Sequence, residues 1–167
     1  MNVEIRSAGE ADREWMAAAL SQEWGSPVVV SRGRLHNADR LSGLLAERGD
    51  KRVGLLTYRV SGDEMEVVTL QALEQRTGVG SALLKAAREA ASRMGCRRLW
   101  LVTTNDNTPA QSFYRALGME LVAVYRGAVG ESRKLKPSIP LAGVGGRSIE
   151  DELEYEMRLC ECRSAHA

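Results

Sequence analysis

The stretch "MEVVTLQALEQRTGVGSALLKAA", residues 65–87, constrains the fold more than any other part of the chain. Its first part, "MEVVTLQAL", is apolar on both alternating faces, as a strand covered on both sides should be. From Val79 to Met94, the residues Val79, Leu83, Ala86 or Ala87, Ala90 and Met94 form one stripe at helical spacing. Gly95 then stops the helix. Between the two runs lies "QRTGVG", a glycine-rich strand-to-helix turn. Such a turn aims a row of backbone N–H groups out of a helix N-terminus, where an anion is favoured.

The remaining elements are arranged around this unit. "SAGE", Ser7 to Glu10, reads as a capping box opening a helix through Trp24. "PVVV" is a short strand and "RLHNAD" a polar connector. "GLLAERGDKRVGLLTYRV" reads as two strands joined at "RGDK". "RRLWLVTT" is another buried strand. "TPAQ" starts a short helix, with Thr108 as N-cap, and Gly118 closes it. "MELVAVYR" and "ELEYEMRL" are strands. In the latter Glu152, Glu154 and Glu156 line one face, the pattern of a solvated strand surface. The order helix, strands, helix, strand, helix, strands predicts an α/β (α+β) fold in one domain over 1–167, a mixed sheet with helices on its faces.

Composition narrows the function classes. The 167 residues suit one domain with a real core. With 23 basic and 22 acidic side chains the net charge is +1, which argues against nucleic acid as a partner. No apolar run has the length of a membrane span, and the first residues lack a signal-peptide core. Three cysteines do not suggest a disulfide framework, so a cytoplasmic location is expected. Cys160, Cys162 and His166 lack a fourth ligand at a recognisable spacing, so no metal is expected.

The glycine turn excludes the commoner nucleotide loops. A dinucleotide fingerprint would need a third glycine where Leu83 stands, and a triphosphate loop would need Gly-Lys-Ser/Thr at its end. What remains is a set of N–H donors from about Arg76 to Ser81, suited to a pyrophosphate that undergoes no chemistry. Glu66 is the one carboxylate in the preceding strand up to the turn. It is either a buried acid with a raised pKa, suited to a general base, or an acid at the strand's exposed start paired with a neighbouring arginine. Tyr114, in "NTPAQSFYRALGM", is either core or a proton donor.

Together the two segments resemble the GNAT superfamily of acyl-CoA-dependent N-acetyltransferases, over roughly residues 40–126. The family's Gln/Arg-x-x-Gly-x-Gly/Ala loop is matched by Gln75, Gly78 and Gly80. Its Asn-x-x-Ala-x-x-Phe/Leu-Tyr run, ending in Gly-Phe or Gly-Met, is matched by Asn107, Ala110, Phe113, Tyr114, Gly118 and Met119. The resemblance implies a mostly antiparallel sheet whose central strands splay apart to hold the cofactor. It implies acetyl-CoA as co-substrate, its pyrophosphate on the amides of Arg76, Thr77, Gly78, Val79, Gly80 and Ser81. The pantetheine arm would lie along Leu70 and Ala72, with Asn107 reaching it from the other side. Glu66 would be the general base, the Leu70 N–H would polarise the acetyl carbonyl, and Tyr114 would protonate the departing thiolate.

The chain departs from the pattern in its last third, where about 25 residues separate "VAVYR" from "DELEYEMRL". An inserted segment at about 127–150 is expected to form a wall or lid of the acceptor pocket. Trp24 and His36 fall where this fold lines that pocket, His36 as a substrate contact or second base, or simply exposed. The expected function is transfer of an acetyl group to a primary amine of a small molecule, by a monomer or homodimer. The alternatives are acetylation of a protein lysine or N-terminus, and a non-catalytic acyl-CoA sensor.

Overall fold

The computed structural model describes residues 2–74 and 76–159. Seven strands form one sheet in the order β1-β4-β5-β6-β7-β9-β8. These are β1 (Glu4–Ser7), β4 (Ser42–Arg48), β5 (Lys51–Ser61), β6 (Glu64–Ala72), β7 (Arg98–Thr104), β8 (Glu120–Tyr125) and β9 (Glu152–Arg158). Two further strands, β2 (Val28–Ser31) and β3 (Arg34–Asn37), pair with each other alone. The helices are α1 (Arg13–Trp24), α2 (Val79–Arg93), α3 (Thr108–Ala116) and α4 (Ala128–Leu135). Every pairing in the large sheet is antiparallel except β6 with β7. That exception follows from the helical crossover α2, which returns the chain to the same end of the sheet before β7 begins.

The two faces of the sheet carry different cores. Leu83, Leu84, Ala87 and Ala91 of α2 pack with Leu56, Met65, Val67, Leu99 and Tyr155. On the other face Met16 and Leu20 of α1 pack with Ala38, Leu45 and Leu55. Alternation along β5 explains the division, since Leu55 and Leu56 point to opposite faces. Gly54 permits the close approach of α2. A Cβ there would lie 2.5 Å from Val79 Cγ1 and 2.9 Å from Leu83 Cδ1. Gly54→Ala is therefore expected to destabilise the fold by about 1–3 kcal/mol. Urea unfolding measures this, and an unchanged midpoint would show that α2 shifts freely.

Several sequence expectations need correction. Ser7 does not cap a helix; it ends β1, pairing with Leu44. The entry to α1 is organised instead by Asp12, which accepts from Gly9 N at 2.8 Å and pairs with Arg6 and Arg52. "RLHNAD" is not a connector: it contains β3 and a short 3-10 turn. The N-cap of α3 is Asn107 rather than Thr108, its side chain accepting from Ala110 N at 3.3 Å. The acidic row of β9 is not a solvated face. Glu152 is buried, and Arg98 ion-pairs with both Glu154 and Glu156.

Two irregularities open the middle of the sheet. Pairing between β6 and β7 ends at Val67 and Leu101, yet β6 runs on to Ala72 and β7 to Thr104. Within the β5–β6 ladder, Thr57 faces Thr69 but Tyr58 faces Val67, so Val68 is a bulge residue with no partner on β5. It is β6 and β7 that diverge from this point, while β5 and β6 stay paired.

Candidate active site

The divergence of β6 and β7 creates a cavity of about 630 Å³, within the usual range for small-ligand sites. Its walls come from Val67–Leu70 of β6, Leu101–Thr104 of β7, and Asn107, Ala110 and Tyr114 of α3. Trp24 at the end of α1, Val29–Ser31 of β2, Glu152 at the start of β9, and part of the 127–150 segment complete it.

Backbone geometry at Leu70 follows from the ladder. Leu73 N donates to Val53 O at 2.8 Å, which marks that pair as hydrogen-bonded. Bonded and non-bonded pairs alternate in an antiparallel ladder. Leu55–Gln71 and Thr57–Thr69 are thus bonded pairs, and Leu56–Leu70 is not. The N–H and C=O of Leu70 consequently point away from β5 and into the gap. Ala72 ends the strand beyond the cavity.

Glu66 is buried and not at an exposed strand start, yet it also pairs with an arginine. Its side chain is 4% exposed. Arg59 stands directly across the strand pair and donates to Oε1 at 3.4 Å. Ser31 Oγ donates to Oε2 at 3.0 Å. Burial pushes the Glu66 carboxyl above its ordinary value, and the bonds from Ser31 and Arg59 oppose that only in part. Glu66 is not itself in the cavity wall; Ser31 is, and stands between the carboxylate and the cavity.

Across the gap, Tyr114 is held by its ring. It packs edge-on against Phe113, with centroids 5.5 Å apart, and tilted against Tyr155 at 6.0 Å. Burial pushes its phenol up to about 12, so it stays protonated and can only donate a proton. Phe113 lies outside the cavity wall and packs against the glycine turn: a Cβ on Gly80 would lie 3.2 Å from its ring. Asn107 does line the cavity, with its Oδ1 already used to cap α3.

The start of α2 lies apart from the cavity. Gly78 is its N-cap in the left-handed conformation, φ 79°, and no side chain caps the helix. The amides of Val79, Gly80 and Ser81 are among those that a helix leaves without internal partners. Arg76, also with positive φ, and Thr77, whose hydroxyl donates to Glu74 O, precede them. The Val79 side chain is buried beneath the turn, so only its backbone is available to a ligand. Gln75 and the cluster of Cys160, Cys162 and His166 lie outside the described residues.

His36 corrects a sequence expectation. It is buried in β3 opposite Val29, away from the cavity wall. Burial, with Arg59 and Arg34 nearby, holds its pKa down at about 4, so it is neutral at ordinary pH. It neither contacts the cavity nor is exposed. Sequence reasoning missed the latch beside it. Arg32 and Gly33, at φ 49° and 71°, form the two-residue turn of the β2–β3 hairpin. The Arg32 backbone N–H donates to Glu152 Oε2 at 3.1 Å and its guanidinium to Oε1 at 3.3 Å. The hairpin tip is thereby pinned to β9 across the gap. The glycine of "RG", between "VVVS" and "RLHN", was the available signal for a tight turn. Among the described residues no group of three or more His, Cys, Asp or Glu is arranged to hold a metal. No helix among them is long and apolar enough to cross a membrane.

The fold is that of known acetyltransferases. A Bacillus subtilis acetyltransferase crystallised in complex with CoA superposes with a TM-score of 0.72 at 18% identity, covering 95% of this chain and all of the other. The uncharacterized Bacillus subtilis (strain 168) proteins YdhI and YxbD are 32% and 35% identical to this chain. YdhI aligns over 87% of this chain and 92% of its own length, YxbD over 86% and 91%. The family model for the acetyltransferase (GNAT) family matches residues 10–119. The chain belongs to that family.

Proposed function

We propose that this chain transfers an acetyl group from acetyl-CoA to the primary amine of a small acceptor, by direct attack in a ternary complex. The observation that carries this reading is the cavity through the split sheet. The Leu70 N–H faces into it, with Tyr114 in one wall and Ser31, backed by Glu66, in another. The residues present fit such a co-substrate, because the uncapped N-terminus of α2 suits a pyrophosphate and the split between β6 and β7 suits an extended amide-bearing arm. In this reading the amides of Arg76–Ser81 hold the phosphates, and Leu70, Ala72, Asn107 and Ala110 flank the arm. Bound there, acetyl-CoA supplies an acyl group activated as a thioester.

The chain's own groups then have separate tasks. Glu66, a basic carboxylate, takes the amine's proton through the Ser31 hydroxyl or through a water. The Leu70 N–H is a fixed donor to the oxyanion, needing no reorganisation as charge develops. Tyr114 gives its phenolic proton to the leaving sulfur. A small acceptor is favoured because the latched β2–β3 hairpin and the 127–150 segment wall the cavity, whereas a protein acceptor needs an open groove. The segment acts as a lid on one domain, clamped at its base by Asn105, whose Oδ1 accepts from Glu150 N and Asp151 N.

Free-thiol release from acetyl-CoA, measured across amines, amino acids, polyamines, aminoglycosides and peptides, tests the proposal. Turnover is expected with small amines and not with peptides. Peptide turnover alone would reassign the acceptor, and cofactor binding without any turnover would make the protein a sensor.

A further inference from the structure

Lys136 occupies an unusual position in the cavity wall. It follows α4, and its Nζ donates to Trp24 O at 3.0 Å and to Val28 O at 2.7 Å. An ammonium carries three donors, so one N–H remains. The other cations of this helix are accounted for. Lys134 pairs with Glu131, and Arg133 donates to the carbonyls of Ile139, Pro140 and Ile149. Lys136 forms no ion pair among the described residues, and burial alone pushes its pKa down. Two carboxylates line the same cavity, but Glu152 is committed to Arg32, and Glu23 is exposed and makes no ion pair with Lys136.

Lys136 is partly buried, and a cation drawn even part-way from water without a counter-charge carries a cost. The two carbonyls explain where the Lys136 head sits, at the C-terminal end of α1, but they supply no full negative charge. The missing charge fits one that arrives with the acceptor. Building on the acetyl-transfer reading, we infer that the acceptor is an amino carboxylate, whose carboxylate pairs with Lys136 while its amine faces Ser31 and Leu70. One charge and one remaining donor match a carboxylate better than a dianion. Val29, Val30 and Ile139 line the same cavity, so a hydrocarbon side chain beside the two polar groups is accommodated.

The test compares acceptor pairs differing only in the carboxylate: phenylalanine with phenethylamine, methionine with 3-methylthiopropylamine, leucine with isopentylamine. Thiol release is measured with wild type, Lys136→Met and Lys136→Arg. The same compounds are titrated calorimetrically into the CoA-loaded protein, which reads binding without turnover. Wild type is expected to bind and acetylate a carboxylated member at least about 10-fold better than its partner. Lys136→Met is expected to raise KM for that acceptor by about 10- to 100-fold, the worth of a hydrogen bond to a charged group. KM for acetyl-CoA and the melting temperature should stay nearly constant, and Lys136→Arg should restore most of the affinity. A purely structural tether would instead lower the melting temperature and leave the preference intact, overturning the inference. Equal use of both members, or no binding of any amino carboxylate to the CoA-loaded protein, overturns it as well. If acetyl-CoA itself fails to bind, the acetyl-transfer reading fails first and this inference with it.

Discussion

Glu66→Gln is expected to lower kcat about 100-fold at pH 7, with the loss shrinking as the pH approaches that at which the acceptor amine is already neutral. The substitution preserves shape and an acceptor for Ser31 Oγ, so the effect reports basicity rather than packing. The sign follows from the carboxyl's environment. Burial raises the Glu66 pKa above the ordinary carboxylate value, so the wild-type rate should climb with pH through a limb displaced upward from that value. A glutamine cannot titrate, and its profile should lose that limb and follow the amine alone. If the limb persists in the variant, another group is the base. If the variant retains full rate at low pH, proton removal does not involve this residue.

Tyr114→Phe should reduce kcat by about 100-fold while KM for acetyl-CoA changes less than about twofold. The phenylalanine ring keeps the contacts with Phe113 and Tyr155, and so should keep the fold. With its phenol pushed up to about 12, Tyr114 remains a donor over the whole working range. The wild-type profile should therefore show no alkaline fall attributable to it below that pH. Rapid-quench and steady-state kinetics separate slow thiolate departure from slow product release. A variant with unchanged kcat would dismiss the phenol and leave water as the proton source.

The fold was readable where a local period decides the structure. The strand from Glu64 to Ala72, the helix from Val79 and the helix following Asn107 each have an apolar pattern and a stop signal of their own. The α1 entry was misread because Ser7 and Glu10 fit a capping rule locally, while pairing of Ser7 with Leu44 overrides it. Of the residues proposed for the site, Leu70, Asn107, Ala110, Tyr114 and Trp24 meet around one cavity, and Glu66 stands just behind it. His36 does not: it is buried in β3 and forms no part of the cavity wall. The contacts of Ser31, Arg32 and Lys136 were not legible at all. Ser31 meets Glu66 across 35 positions, Arg32 meets Glu152 across 120, and Lys136 meets Trp24 across 112. No window of sequence contains such pairs.

The bulge at Val68 and the separation that follows it leave β6 with one side unpaired in the centre of the sheet rather than at its margin. An exposed strand edge ordinarily invites another chain to add on, and proteins shield their margins against this. Here the unpaired stretch lies inside a cavity lined by neighbouring elements, not along an open margin. Such a site suits a slender amide-bearing arm. On the proposed function, the co-substrate behaves as a removable strand, completing the sheet for the length of one catalytic cycle and leaving it incomplete again.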